Sequence, residues 1–396
     1  MANKRYVQLG KVRSVIRELF EYGNRLRAER GDDKVYDFSL GNPSVPPPEE
    51  FNAVLKDLIE NSDPVALHGY TSAQGALPVR KAVADYINGN FGDHVTADDI
   101  YMTCGAAAAL TISLCALCEE GDEVLAFSPY FPEYSVFAAT AGAKFVPVPT
   151  DENFDIDAEA LRAALTNKTR VLIVNSPNNP TGVVYGEEKL RAVCDILRQH
   201  SASTGSTVWL ISDEPYRELV FGGERVPYVM NLYKNSIVCY SFSKSISLPG
   251  ERIGYIALNR EAEGREDVYA AVCGAGRALG YVCAPSMLQY AVAKLLGKTS
   301  DISVYARNRQ RLCTALTSMG FKVIQPQGAF YIFMQCPGGD AEEFSEKAKQ
   351  LGLLLVPGDG FGCRGYVRLA YCVSPGMIER SLPAFSALAE EYNIGK

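Results

Sequence analysis

Short apolar runs alternate with helical patterns between residues 100 and 260 of the 396-residue chain. The runs are rich in β-branched and aromatic residues and are too short to be helices, so we expect them to form strands. Strands that alternate with helices usually lie parallel, and helices then cover both faces of the sheet. The pattern therefore predicts an α/β fold with a large, mainly parallel sheet. The expected strands are Ile100–Thr103, Glu123–Phe127, Lys144–Val148, Arg170–Asn175, Thr207–Asp213, Ile237–Tyr240 and Ile253–Leu258.

A smaller α/β unit is predicted in the C-terminal part of the chain, where strand and helix patterns alternate again. A chain of this length has enough residues for two domains. We therefore expect a large domain of residues 50–285 and a small domain that residues 1–49 and 286–396 form together. The expected elements of the smaller unit are strands at 321–324, 329–335, 352–356 and 366–370 and a helix at 340–351.

Composition and charge argue against several classes of protein. The net charge is −7 and no basic block is present, so nucleic acid is not an expected partner. No apolar run approaches the length of a membrane span, and the N-terminus lacks the apolar core of a signal peptide. The eleven cysteines are irregularly spaced, which is typical of reduced thiols in a cytoplasmic protein. With only three histidines, we expect no metal site.

The stretch from Ser241 to Tyr255 joins two of the predicted strands and combines hydroxyl groups with two cations. The hydroxyls of Ser241 and Ser243 and the guanidinium of Arg252 would suit an anion such as phosphate. Lys244, held among them in an apolar setting, would have its charged form disfavoured, so its amine would be nucleophilic near neutral pH. Taken alone, however, the S-x-S-K motif fits a solvated loop equally well.

A second candidate anion site lies where a helix is predicted to follow the strand at 100–103. Gly105, Ala106 and Ala107 are small, so the first backbone N–H groups of that helix could approach an anion, which the helix dipole would also favour. Helix starts of this kind are common, and this one carries little weight by itself.

Asp213 ends a predicted apolar strand, and a carboxylate is costly to bury unless it has a cationic partner. The segment Asn178–Gly182 has the composition of a turn. Other candidates also have ordinary structural explanations. Taken alone, Phe131 is explained as a core residue and Tyr70 as a turn residue. Arg368 is explained as a member of a surface ion pair.

The motif S-x-S-K, followed eight residues after its lysine by R-x-G-Y, resembles a segment of the class I and II pyridoxal-phosphate-dependent aminotransferases of fold type I. Further segments resemble this aspartate-aminotransferase-like family in the family's order, from Gly41 to Arg368. The resemblance therefore covers almost the whole chain. These segments are Leu40–Pro43 (L-G-N-P), Asn178–Gly182 (N-N-P-T-G), Asp213–Tyr216 (D-x-x-Y) and Gly365–Leu369 (G-Y-V-R-L).

The resemblance implies pyridoxal 5′-phosphate as the cofactor, with Lys244 forming a Schiff base to it and moving protons as general base and acid. It implies that Asp213 keeps the pyridine nitrogen protonated, that Asn179 and Tyr216 bind the phenolic oxygen, and that Phe131 stacks on the ring. The residues that it implies for the phosphate are Gly105, Ala106, Ala107, Ser241, Ser243, Arg252 and Tyr70 of the partner subunit. That last contact implies a homodimer with shared active sites.

The resemblance also implies the substrate contacts. Arg368 would pair with the substrate α-carboxylate, and Gly41 and Asn179 would lie beside the substrate. The glycine-rich segment Gly274–Tyr281 contains Arg277, which we expect, less directly, to bind a side-chain carboxylate.

The expected function is the transfer of an amino group between an L-amino acid and a 2-oxo acid by a ping-pong mechanism through pyridoxamine phosphate. An aspartate- or glutamate-type donor is the first expectation. The same apparatus also serves carbon–sulfur β-lyases, which stay an alternative. A non-catalytic, amino-acid-responsive regulator is a remote alternative, because Lys244 and the other motif residues are all present.

Overall fold

The computed structural model describes residues 2–11 and 15–395 of the chain, without the side chain of Arg17. Positions 1, 12–14 and 396, which the domain prediction includes, lie outside the described residues. The strands are β1 Tyr36–Asp37, β2 Ile100–Thr103, β3 Glu123–Ser128, β4 Lys144–Pro149, β5 Thr169–Asn175, β6 Trp209–Asp213, β7 Ser236–Ser241, β8 Gly254–Leu258, β9 Tyr331–Gln335, β10 Leu353–Leu354, β11 Val356–Pro357 and β12 Tyr366–Ala370.

Helices precede, connect and follow these strands. They are α1 Lys4–Lys11, α2 Val15–Arg30, α3 Glu49–Asn61, α4 Pro64–His68, α5 Leu77–Phe91, α6 Ala106–Leu117, α7 Glu133–Thr140, α8 Ala158–Ala164, α9 Glu187–Thr204, α10 Phe242–Ser245, α11 Arg265–Leu279, α12 Ser286–Ala293, α13 Ser303–Ser318, α14 Ala341–Gln350 and α15 Pro375–Glu391.

The large sheet has seven strands in the order β2-β8-β7-β6-β5-β3-β4. Strand β3 pairs in parallel with β4 and β5, and the pairs β5–β6 and β6–β7 are also parallel. Only β8 runs antiparallel to its two neighbours, β2 and β7. The prediction of a mainly parallel sheet is therefore confirmed.

Helices cover both faces of this sheet. Successive residues of a strand point to opposite faces, and in β5 Val171 and Ile173 belong to one hydrophobic cluster while Leu172 and Val174 belong to another. Because both faces are apolar, β5 reads as a continuous apolar run in the sequence rather than as an alternating one.

The parallel strands bring the carboxyl ends of β5, β6 and β7 to one edge of the sheet. Asn175 is paired in register with Asp213, and Asp213 with Cys239, two residues before the end of β7. In open α/β sheets, ligands bind in the crevice outside the carboxyl ends of the strands. The fold therefore predicts a ligand-binding site at this edge.

A smaller antiparallel sheet of order β11-β12-β9 packs with helices α13, α14 and α15 around a cluster that includes Phe330, Phe344 and Phe385. Two predicted strands differ in the structure. Residues 321–324 form no strand and contribute only one bridge, Val323 to Met334. The run at 352–356 is divided between β10, which pairs with β1, and β11, which pairs with β12. The division into two domains at residues 50 and 285 stays a prediction.

The glycine-rich segment that contains Arg277 lies mostly within helix α11. A Cβ atom at Gly276 would overlap the hydroxyl of Tyr101 and lie 2.8 Å from its Cζ. The Tyr101 side chain is fully buried, and its hydroxyl donates to the Tyr281 carbonyl oxygen at 2.9 Å. Gly276 therefore allows α11 to pack directly on β2.

We expect Gly276→Ala to destabilise the protein by about 1–3 kcal/mol, because the added methyl group has no space beside Tyr101. Gly274→Ala is the matched control on the same helix, since no atom lies within 4 Å of a Cβ placed there. That control should be stabilising by about 0.5–1 kcal/mol. Urea denaturation of both variants measures the difference, and equal stabilities would contradict the packing argument.

Candidate active site

A cleft of about 350 Å³ opens at the carboxyl edge of the large sheet. It brings together the predicted residues Gly41, Ala106, Ala107, Phe131, Asn179, Asp213, Tyr216, Ser241, Ser243, Lys244, Arg252 and Arg368. These residues come from regions of the chain that are more than 300 positions apart, so their convergence is a property of the fold.

Lys244 lies in α10, the short helix that follows β7, with its amine deep in the cleft. Its Nζ donates to the Gly41 carbonyl oxygen at 2.6 Å and lies 5.4 Å from the centre of the Phe330 ring. Burial lowers the pKa of Lys244 to about 8, and the charges of Arg252 and Arg368 act in the same direction. A larger share of this amine is therefore unprotonated near neutral pH than in an ordinary lysine.

Asp213 lies at the end of β6 and is buried. Its Oδ2 accepts a hydrogen bond from the Tyr134 hydroxyl at 2.6 Å, and its carbonyl oxygen accepts one from Asn175 Nδ2 at 2.9 Å. Its other carboxylate oxygen, Oδ1, is buried with no hydrogen-bond partner. Burial raises the pKa of Asp213 to about 7, against the lowering effect of the Tyr134 hydrogen bond. An unpaired buried oxygen of this kind suits a donor or a cation inside the cleft.

Ser241, Ser243 and Arg252 form a polar cradle beside Lys244. The Ser241 hydroxyl donates to the Ser243 hydroxyl oxygen at 2.9 Å, and Arg252 Nη1 donates to that same Ser243 oxygen at 3.3 Å. Gly105, at the start of α6, has a φ of 83°, and a Cβ placed there would lie 2.8 Å from Arg252 Nη2. Glycine at this position therefore lets the guanidinium reach the N-terminus of α6, where N–H groups lack partners within the helix.

Arg368, in β12, is 2% exposed and has no acidic partner within the described residues. Its Nη1 donates to Asn179 Oδ1 at 3.0 Å, its Nη2 donates to the Ser39 carbonyl oxygen at 2.6 Å, and its Nε has no partner. Burial lowers the pKa of Arg368. A buried guanidinium of this kind is suited to bind a carboxylate from a small molecule.

Several residues in or next to the cleft were not predicted from the sequence. Asn175 could have been found, because it ends the strand next to Asp213 and carboxyl ends of neighbouring parallel strands meet. Tyr134 and Tyr331 are recognisable only from contacts between distant segments. Glu133 also lines the cleft, as do the apolar side chains of Ile16, Leu40 and Leu110.

Three predicted residues are not among those that line the cleft of their own chain. Gly105 directly precedes the lining residues Ala106 and Ala107 and lies next to Arg252. Tyr70 is 98% exposed, and its contact across a dimer stays a prediction. Arg277 is exposed on α11, and its predicted contact with a substrate side chain also stays a prediction.

The described residues contain no group of three or more acidic, histidine or cysteine side chains placed to hold a metal ion. Within the same part of the chain, no helix has the length and apolar character needed to cross a membrane.

The family model described as aminotransferase class I and II matches residues 33–385. The chain therefore belongs to the class I and II aminotransferases and is an aminotransferase, as the sequence motifs predict. Membership implies amino acids and 2-oxo acids as the substrates.

Named relatives and a solved structure agree. A "probable aspartate aminotransferase" of Methanocaldococcus jannaschii is 29% identical over 95% of this chain and 97% of its own. An "aromatic-amino-acid aminotransferase 2" of Thermococcus litoralis is 29% identical over 96% of this chain and 97% of its own. The crystal structure of an aminotransferase from Eubacterium rectale is 50% identical, with a TM-score of 0.97 and 99% of each chain covered. The predicted fold is thereby confirmed.

The buried carboxyl of Asp213 makes a specific pH dependence of stability testable in the cofactor-free protein. The native carboxyl keeps its proton up to about pH 7, whereas the unfolded chain releases it near pH 4. The native state therefore binds more protons in that window, and this contribution to the free energy of unfolding falls as pH rises. We expect Asp213→Asn to gain stability relative to wild type from pH 4 to pH 7.

Urea denaturation at several pH values measures this difference. Asp195→Asn is the control, because the Asp195 side chain is exposed on α9. A constant difference between Asp213→Asn and wild type across this pH range would contradict the assignment.

Proposed function

We propose that this aminotransferase uses pyridoxal 5′-phosphate, held through Lys244, to move an amino group between an L-amino acid and a 2-oxo acid. The observation that carries the proposal is the half-buried Lys244 amine, with a pKa lowered to about 8, in one cleft with an unpaired Asp213 oxygen and the cradle of Ser241, Ser243 and Arg252. A nucleophilic amine, an anionic partner and a phosphate cradle are what this cofactor requires.

The fit of the cleft to the cofactor rests on groups that lack partners inside the protein. The buried Asp213 Oδ1 would accept a hydrogen bond from the protonated pyridine nitrogen. The phosphate would lie in the cradle and against the first N–H groups of α6, which are those of Ala106 and Ala107. The bound cofactor supplies an electron sink for the charge that develops when the amino acid loses its Cα proton.

The other side chains of the cleft orient the reactants. Asn179 and Tyr216 would hold the phenolic oxygen of the cofactor, and Phe131 would pack against its ring. Tyr134 keeps the Asp213 carboxylate in place through its 2.6 Å hydrogen bond.

Lys244 would act twice in the reaction. Its amine would first carry the cofactor and, once a substrate amine replaces it there, would take the proton from the substrate Cα and deliver it to the carbon that was the cofactor's aldehyde carbon. Arg368 would bind the substrate α-carboxylate, and the contacts with Asn179 and Ser39 fix the guanidinium for that purpose. Gly41 would lie beside the substrate, and its carbonyl oxygen accepts the hydrogen bond of the Lys244 amine.

We also propose a homodimer in which Tyr70 of the partner subunit completes the phosphate site. The near-complete exposure of Tyr70 is compatible with this proposal, because it leaves the side chain free to contact a second chain. Light scattering of the protein loaded with cofactor should give twice the mass of one chain, and a fully active monomer would contradict it. All eleven cysteines are free, which supports a cytoplasmic location.

An aspartate- or glutamate-type donor is the first candidate, and a relative named a probable aspartate aminotransferase supports it. Arg277 could contact the side-chain carboxylate of such a donor only if it reaches a cleft other than that of its own chain. The relative named an aromatic-amino-acid aminotransferase makes an aromatic donor the second candidate. The comparisons do not favour the β-lyase alternative.

The function is tested by adding an L-amino acid to the cofactor-loaded protein without any 2-oxo acid. We expect one 2-oxo acid per active site and then a stop, because the second half of the reaction lacks its acceptor. L-Aspartate, L-glutamate and L-phenylalanine should each be tried. Continuous release of pyruvate and ammonia from a sulfur amino acid would instead identify a β-lyase.

A further inference from the structure

Tyr331, the first residue of β9, contacts three groups of the cleft at once. Its hydroxyl oxygen lies 2.8 Å from the hydroxyl oxygen of Tyr216. The guanidinium carbon of Arg368 lies 4.5 Å from the centre of the Tyr331 ring. The Tyr331 hydroxyl also packs so closely against Gly41 that a Cβ there would overlap it. At 3% exposure, this side chain has little freedom to move.

The two phenols share one hydrogen bond, in which either hydroxyl can donate. Burial raises the pKa of Tyr331, but the positive charge of Arg368 beside the ring opposes this rise. Burial also raises the pKa of Tyr216, and Arg368 opposes that rise too. A phenol carries one proton, so Tyr331 must donate the shared bond whenever Tyr216 donates to a group in the cleft. Its donation leaves the Tyr216 proton free to point into the cleft.

Two further titratable neighbours of Tyr331 are uncharged near pH 7. Burial raises the pKa of Tyr371 well above its usual value. Cys372 follows β12, and burial raises the pKa of its thiol to about 12, so it is neutral near pH 7. Arg368 is therefore the charged group that biases the pair of phenols.

We propose that Tyr331 is a positioning residue that couples the charge of Arg368 to the hydrogen-bonding strength of Tyr216. The coupling runs from the Arg368 guanidinium to the Tyr331 ring, then through the Tyr331 hydroxyl to Tyr216. A carboxylate bound at Arg368 neutralises its charge, makes Tyr331 a weaker donor and so makes Tyr216 a weaker donor in turn. The hydrogen-bonding strength of Tyr216 thereby depends on whether a carboxylate is bound at Arg368.

This inference rests on the proposed function, since Tyr216 would donate to the phenolic oxygen of the cofactor. A hydrogen bond to that oxygen stabilises its anionic form and lowers the pKa of the proton that it shares with the Lys244 nitrogen. The pKa is measurable without turnover, as the pH at which the visible absorption of the loaded protein changes.

We expect Tyr331→Phe to raise this spectroscopic pKa by a few tenths of a pH unit, because Tyr216 loses its donor and becomes a weaker donor itself. The phenylalanine ring would still pack on Arg368. Tyr371→Phe is the matched control, since it removes a buried hydroxyl that donates only to the Ala329 carbonyl oxygen, at 3.1 Å. That control should leave the pKa unchanged.

A double-mutant cycle separates action through Tyr216 from a general disturbance of the cleft. In a Tyr216→Phe background, Tyr331→Phe should cause no further shift. Saturating succinate or 3-phenylpropionate, which carry carboxylates but no amino group, should raise the pKa of wild type more than that of Tyr331→Phe.

Three outcomes would overturn the inference. They are an unchanged or lowered pKa in Tyr331→Phe, an equal shift in the Tyr216→Phe background, and an equal response of wild type and Tyr331→Phe to the carboxylates. If wild type shows no titrating visible absorption after pyridoxal 5′-phosphate is added, the proposed function itself fails, and this inference fails with it.

Discussion

The burial of the Lys244 amine is the constraint on which the rest of the site depends. An ammonium group that is partly shielded from water is destabilised, and Arg252 and Arg368 add repulsion, so the pKa of Lys244 is lowered to about 8. Within the described residues, no carboxylate forms an ion pair with this amine. It bonds to a backbone carbonyl rather than to a carboxylate, and the nearby Asp213 is bonded to Tyr134 and Asn175 instead. The protein therefore keeps a nucleophilic amine and a carboxyl oxygen without a hydrogen-bond partner within one cleft.

The sheet makes this arrangement possible. Parallel pairing places the ends of β5, β6 and β7 side by side, and so brings Asn175, Asp213 and Ser241 to one edge. Arg368 comes from the smaller sheet and reaches the same cleft through its contacts with Asn179 and Ser39. The cleft is thus built between the two sheets, which explains why its residues are far apart in the chain.

Much of the fold and of the cleft was predictable, because the central strands are continuous apolar runs and the motif residues follow them directly. The limits are also physical. Helix α15 has no counterpart among the predicted elements. Pro375 suits the first turn of a helix, but a proline in the interior normally breaks one, and here the helix continues through Pro383. Tyr134 and Tyr331 carry no local signal, because their roles come from contacts with Asp213 and Tyr216 made by folding. Tyr70 and Arg277 would need a second chain to act at a cleft.

The most direct test of the central claim is to reduce the protein with borohydride after adding pyridoxal 5′-phosphate, and then to map the modified peptide by mass spectrometry. Borohydride fixes a cofactor that is bound through a lysine amine. The account predicts a single modified site, Lys244, and no modification there in a Lys244→Ala variant. Modification of a different lysine, or of none, would contradict the role of Lys244 and the mechanism built on it.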